Sequence, residues 1–157
     1  MMLILLDIDG VLVPANSWKK PEFMEDGFSV FNFKSVQALQ KILLETNASV
    51  LLTTSHKTKY NVSQWRDLLS LRGIKPITIQ SLKSNSLHTT RKDEILFWYN
   101  TEHTPGEDFV IIDDDKMLNG LPPDIKNKLV LTSPSVGLTD ELADEAISIL
   151  KRTPLPA

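Results

Sequence analysis

The chain opens on an apolar run, Met2 to Leu6, that breaks into Asp7, Ile8, Asp9 and Gly10. A short apolar run set among other α/β signals reads as a buried strand. Such strands do not ordinarily end in two carboxylates one residue apart. An ionised carboxylate loses its hydration on burial and needs a cation or strong donors in return. Asp7 and Asp9 share strand parity and are expected to point to the same side as the chain leaves the sheet. Gly10 then permits a sharp turn or a close backbone approach. The pattern describes a strand end built to hold a cation, with chemistry beside it.

The remaining sequence supplies a frame for that strand. Apolar runs recur at Val50 to Leu52, Phe109 to Ile112 and Leu129 to Leu131, with a weaker one marked by Ile74, Ile77 and Ile79. Helical spacing falls between them. Val36, Leu39, Ile42 and Leu43 share a face, as do Val62, Trp65, Leu68 and Leu69, which follow Asn61 as N-cap and precede Gly73 as a stop. Ile95, Trp98 and Tyr99 follow a cap at Thr90. Leu142, Ala143, Ala146, Ile149 and Leu150 follow a cap at Thr139. This alternation predicts a parallel sheet with helices on both faces. The 157 residues suffice for one domain with a proper core. That domain is expected over residues 1–152, with a frayed tail at 153–157.

Composition removes several classes of function. A net charge of −3 gives no global pull toward nucleic acid or an anionic membrane, so nucleic acid remains possible only as a substrate. With no cysteine there is no disulfide, thiolate zinc site or cysteine nucleophile. That fits a reducing compartment, and the cytoplasm is expected. Asp7 and Asp9 interrupt the first apolar run too early for a signal peptide. No stretch approaches the roughly 20 apolar residues of a membrane span, so no membrane partner is expected. Oligomeric state stays open.

In open α/β sheets, ligands bind beyond the carboxyl ends of the strands. The first strand ends at Asp7. The second ends at Thr53, followed by Thr54. The fourth ends at Asp113, followed by Asp114 and Asp115. If strands one and four are neighbours, about 4.8 Å apart, their terminal carboxylates can share one cation. An oxygen-only ligand set favours magnesium, which keeps waters for a substrate phosphate.

With these motifs in place, the sequence resembles the haloacid dehalogenase (HAD) superfamily of phosphohydrolases. The matching stretches are DIDGVL at Asp7 to Leu12, VLLTT at Val50 to Thr54 and IIDDD at Ile111 to Asp115. RKDEILFW, Arg91 to Trp98, and the later Gly137 to Thr139 look like a small bacterial subgroup. The resemblance implies a Rossmann-like, doubly wound, five-stranded parallel sheet of order 3-2-1-4-5. It implies Asp7 as the nucleophile that becomes an aspartyl phosphate. Asp9 would be the acid and base, with its backbone carbonyl on magnesium. Thr53 would bond the phosphoryl group, and Asp113 with Asp114 would complete the metal site. For the basic residue, the subgroup pattern favours Arg91 and family habit favours Lys92. Both belong to the first turn of a helix, near its positive end.

In such proteins a flap hairpin follows the first strand, and this is one place where a cap domain is inserted in some members. Here that segment, residues 14–33, is long enough for a hairpin or ordered loop but not a domain. A core without a cap and with an open site is therefore expected, suited to a bulky or macromolecular phosphate. Trp18 in the flap is the candidate to touch substrate. Gly10 and Thr54 are the other substrate-side candidates. His56 reads as an exposed loop histidine, and Trp65 and Trp98 as packing residues.

Each element also has a plainer meaning. Asp7 and Asp9 alone fit a structural cation site, and Asp113 to Asp115 alone fit a solvated turn. A phosphorylated signalling receiver combines similar groups, but its acidic pair comes first and its phosphorylated aspartate stands alone on a later strand. A non-catalytic phospho-binding module on the same fold is the second alternative. No Gly-rich loop follows the first strand, which argues against a dinucleotide site. The order of acid, threonine, base and acid favours a magnesium-dependent phosphomonoester hydrolase.

Overall fold

The first strand sends alternate side chains into two different cores. The computed structural model describes residues 2–15, 22–76, 78–83 and 90–152. In β1 (Met2–Leu6), Ile4 and Leu6 pack with α1 (Phe33–Thr46), α2 (Val62–Leu71) and α5 (Asp140–Lys151). Leu3 and Leu5 pack on the opposite side with α3 (Arg91–Thr101) and with the segment that carries Leu118 and Ile125. A strand buried on both faces needs apolar residues at every position, which is why MLILL is continuous rather than alternating.

Four further strands complete the sheet: β2 (Ser49–Leu52), β3 (Ile79–Ser81), β4 (Asp108–Asp113) and β5 (Leu129–Leu131). All neighbouring pairs are parallel, in the order β3-β2-β1-β4-β5. This is the α/β architecture and strand order expected from the sequence. The third strand is shorter than its apolar residues suggest. Ile74 is buried ahead of it, and Ile77 lies outside the described residues. Two small elements carry no periodic signal: a 3-10 helix over Lys116–Gly120 and the single turn α4 (Pro123–Lys126).

The helix starts follow local side-chain chemistry. Asn61 accepts from the Gln64 N–H while the Gln64 side chain accepts from the Asn61 N–H, a reciprocal cap at the head of α2. The Thr90 and Thr139 hydroxyls accept from the Asp93 and Leu142 N–H groups at the heads of α3 and α5. Trp65 and Trp98 are buried as packing residues.

Part of the segment after β1 is described. Phe23 pairs with Ser29 in an antiparallel bridge, and the Met24 N–H donates to the Phe28 carbonyl. The result is a small hairpin, in keeping with the ordered loop expected there. Trp18 and the tail at 153–157 lie outside the described residues. No cap domain covers the sheet edge among the described residues.

Arg72, at the end of α2, clamps this hairpin to the body. Its guanidinium meets the Asp26 carboxylate at 2.6 and 2.9 Å and donates to the Ser29 and Phe28 carbonyls. It also lies over the Phe28 and Phe31 rings. Because the Arg72 side chain is buried, its charge depends on that fork-shaped pairing.

Hydrogen bonding from Arg72 is the main cause holding Asp26 down, from an ordinary value of 3.8 to about 2. As pH falls, unfolded chains therefore take up the proton before folded ones do. The stabilisation is complete above about pH 4 and fades as pH falls toward about 2. Asp26→Asn should cost about 2 kcal/mol near neutral pH. In urea denaturation followed across acidic pH, the gap between variant and wild type should narrow below about pH 4. A gap that does not change with pH would separate the clamp from the Asp26 charge.

Candidate active site

Strand parity decides which carboxylates meet. Asp7 follows Leu3 and Leu5 in alternation, and Asp113 follows Phe109 and Ile111, so both aim toward the α3 side of the sheet. The Asp7 N–H still donates to the Ile112 carbonyl, continuing the β1–β4 ladder past the last paired residues, Leu6 and Ile112. The two acids therefore sit side by side, and both are buried. Carboxylate oxygens of Asp7, Asp113 and Asp114 all lie within 4.8 Å of one another.

Asp114 reaches this cluster because residue 10 has no side chain. Gly10 adopts φ +80°, and a Cβ there would overlap the Asp114 carboxylate. The turn is braced on two sides. The Thr132 hydroxyl donates to the Gly10 carbonyl at 2.7 Å, and the Leu138 N–H donates to the Val11 carbonyl at 2.8 Å.

Arg91 supplies the positive charge. It opens α3, and its Nη1 lies 2.6 Å from Asp113 Oδ2 and 3.4 Å from Asp7 Oδ2. Lys92 turns elsewhere: its Nζ lies beside Gly120, 3.1 Å from where a Cβ would stand. Of the two basic candidates left open by the sequence, only Arg91 is brought to the carboxylates.

Local donors hold the two acids in place. The Ile8 N–H donates to Asp7 Oδ1 at 2.8 Å, and the Asp115 N–H to Asp113 Oδ1 at 3.0 Å. Burial still dominates the electrostatics. Desolvation, then the neighbouring Asp113 charge, push the Asp7 carboxyl up to about 8, against the pull of Arg91. Burial likewise raises Asp113, with Arg91 opposing. One guanidinium does not balance three crowded carboxylates, so the cluster favours a further cation.

Thr53 follows Leu51 on the same side of β2 and is fully buried. Its Oγ1 is a buried side-chain polar atom without a hydrogen-bond partner among the described residues. A buried hydroxyl left unbonded is costly, which is the condition of a group waiting for a ligand. Thr54 is equally buried, but its Oγ1 accepts from the His56 N–H at 3.3 Å and so braces the loop.

Asp9 departs from the expected parity. The strand ends at Leu6, and the Val11, Leu12 and Val13 N–H groups all converge on the Ile8 carbonyl, so the chain coils into a tight turn. Asp9 is carried out of the buried cluster. Its side chain is 58% exposed, and its Oδ2 lies 2.8 Å from His56 Nε2. His56 is thus a partner of Asp9 rather than a free loop histidine. A second pair escaped the sequence reading. Lys57 Nζ meets Glu94 Oε2 at 3.0 Å, both well buried, tying the loop after β2 to the first turns of α3.

A family model described as the HAD domain in Swiss Army Knife RNA repair proteins matches residues 3–143. The chain belongs to that family. Neither the curated proteins nor the solved structures gave a match. Membership in the HAD group implies phosphohydrolase-type activity, and HAD proteins generally use magnesium. Its donor set fits that metal: three carboxylates converge, all ligand atoms are hard oxygens, and the charge is under-compensated.

The raised Asp7 pKa makes a stability prediction for the metal-free HAD domain. Folded chains hold the Asp7 proton more tightly than unfolded ones, so stability falls as pH rises from about 4 to about 8. In chelator, Asp7→Asn should melt above wild type near pH 8, and the two should converge near pH 4. Magnesium should raise the wild-type melting temperature more than the variant's. Identical pH slopes, or equal responses to magnesium, would count against this account.

Proposed function

We propose that this protein is a magnesium-dependent phosphomonoester hydrolase that works through a phosphorylated Asp7, and that its substrate is a phosphate at an RNA end. The observation that carries the chemistry is the convergence of Asp7, Asp113, Asp114 and Arg91 beside the unbonded Thr53 hydroxyl.

In the first step an Asp7 carboxylate oxygen bonds to phosphorus while the bond to the leaving oxygen breaks. Asp9, as the carboxylic acid, gives its proton to that oxygen. In the second step water attacks phosphorus, Asp9 takes a proton from it, and the Asp7–phosphorus linkage breaks to release phosphate. Splitting the displacement through a covalent intermediate lowers each barrier. Arg91 and the Thr53 hydroxyl bind the phosphoryl oxygens, whose charge must be offset as the group transfers. Asp7, Asp113 and Asp114 would hold magnesium, which would offset the phosphate charge and let Asp7 act as an anion.

The RNA end rests on two supports. The family description refers to RNA repair proteins. Among the described residues no cap domain encloses the sheet edge, and an open edge admits a polymer terminus. Asp9 favours this reading over a signalling receiver, because it provides an acid and base for turnover.

Asp7→Asn should abolish magnesium-dependent phosphate release from an aryl phosphate, and a variant that turned over normally would refute the mechanism. Asp113→Ala should need at least about tenfold more magnesium for half-maximal rate, since a lost carboxylate ligand weakens the ion. An unchanged requirement would remove Asp113 from the metal. Across a panel of 5′- and 3′-phosphorylated RNA oligonucleotides, mononucleotides and sugar phosphates, kcat/KM should be highest on an RNA end. Preference for small phosphates would overturn the RNA assignment while leaving the phosphatase intact.

A further inference from the structure

His56 takes no part in the scheme above, yet it touches the one catalytic carboxyl that packing does not hold. With its side chain 58% exposed, Asp9 has open rotamer choices, and an acid must be aimed at the leaving oxygen to be useful. Its Oδ2 is met by His56 Nε2 at 2.8 Å.

His56 is itself well fixed. Its backbone N–H donates to Thr54 Oγ1 at 3.3 Å, and Thr54 is fully buried. Its ring stands edge-on to Phe28, with centroids 5.3 Å apart and planes at 86°. Phe28 belongs to the hairpin and is buried, and Arg72 Nη2 donates to its carbonyl at 3.0 Å. A contiguous path of packed and hydrogen-bonded groups thus runs from the end of α2 through the hairpin to the imidazole.

We infer that His56 is a positioning residue for Asp9. Its Nε2–H donates to Oδ2 and selects the rotamer in which Oδ1 is free to pass the proton to and from substrate. This inference rests on the phosphatase reading and extends it to a residue outside the four motif positions. The hairpin gains a part in catalysis through Phe28, although Phe28 need not touch substrate.

Leaving-group dependence separates aiming from folding. Breaking a phosphate ester of an alkyl alcohol needs a proton delivered to oxygen, whereas p-nitrophenolate departs with little help. The ratio of kcat/KM on an alkyl phosphate to that on p-nitrophenyl phosphate reports on the step in which Asp7 is phosphorylated. His56→Ala should lower kcat/KM on the alkyl phosphate on the order of tenfold, and much less on p-nitrophenyl phosphate. His56→Gln, whose amide nitrogen reaches the Nε2 position, should recover most of the loss. A merely structural histidine would lower both substrates in proportion, with Gln no better than Ala, and that result would overturn the inference. So would faster turnover by His56→Ala, which would make the pair a resting-state latch.

A spectroscopic arm covers variants that fold poorly. In ¹⁵N-labelled wild type, the His56 Nε2 resonance should carry a proton and shift when Asp9 is replaced by Ala; an unshifted resonance would also overturn the inference. Asp7→Asn serves as the control. If it remains active, the phosphatase reading itself fails; if it is inactive and the leaving-group ratio of His56→Ala is normal, only the role of His56 fails.

Discussion

The structure is organised around the placing of Asp7 and Asp113 next to each other inside the protein. Adjacent parallel strands put them there, and burial makes their charge expensive. Neighbouring features offset that expense. Arg91 spans both carboxylates, and each accepts one backbone N–H from the loop that follows its own strand. α3 starts where Arg91 can reach the strand ends, and the Lys57–Glu94 pair ties that first turn to the loop carrying Thr53 and Thr54. Gly10 is glycine because Asp114 occupies the space of a side chain. What remains uncompensated is negative, and three crowded carboxylates beside one guanidinium favour a further cation.

The site separates its carboxylates by environment. Asp7 and Asp113 are buried, where charges interact strongly. Asp9 stands two residues from Asp7 but in contact with solvent. In the proposed reaction, the nucleophile and metal ligands benefit from that fixed, buried setting. A group that must exchange protons with a leaving alcohol and with water benefits from access. The tight turn at Ile8 creates this division, because it stops the strand alternation that would have buried Asp9 beside Asp7.

Much of this was legible in the sequence, and the pattern of what was not is physical. β1 and β5 match their apolar runs residue for residue, and the caps at Asn61, Thr90 and Thr139 are where the side-chain chemistry places them. These features depend on near neighbours in the chain. The acids at the ends of β1 and β4 were legible because carboxylates are conspicuous after apolar strands. The choice between Arg91 and Lys92 was not, since adjacent helix residues point about 100° apart and only the docking of α3 selects one. The His56–Asp9, Arg72–Asp26 and Lys57–Glu94 pairs were hidden for a related reason: each joins segments far apart in sequence. α3 itself gave a weak signal, because its apolar residues do not form one stripe and only Ile95 and Trp98 are buried.

The strand order also bears on how the site comes into being. β1 lies between β2 and β4, so Asp7 acquires Thr53 from one neighbour and Asp113 from the other. Arg91 arrives from the crossover between β3 and β4. No contiguous stretch of the polypeptide holds Asp7, Thr53, Arg91 and Asp113 together. During synthesis, β1 precedes β4 and carries Asp7 without Asp113 until β4 docks against it. The carboxylates stay hydrated until then, and the cost of burying them falls on the late, long-range pairing. A chain cut before β4 therefore carries Asp7 without the acid that stands beside it in the fold.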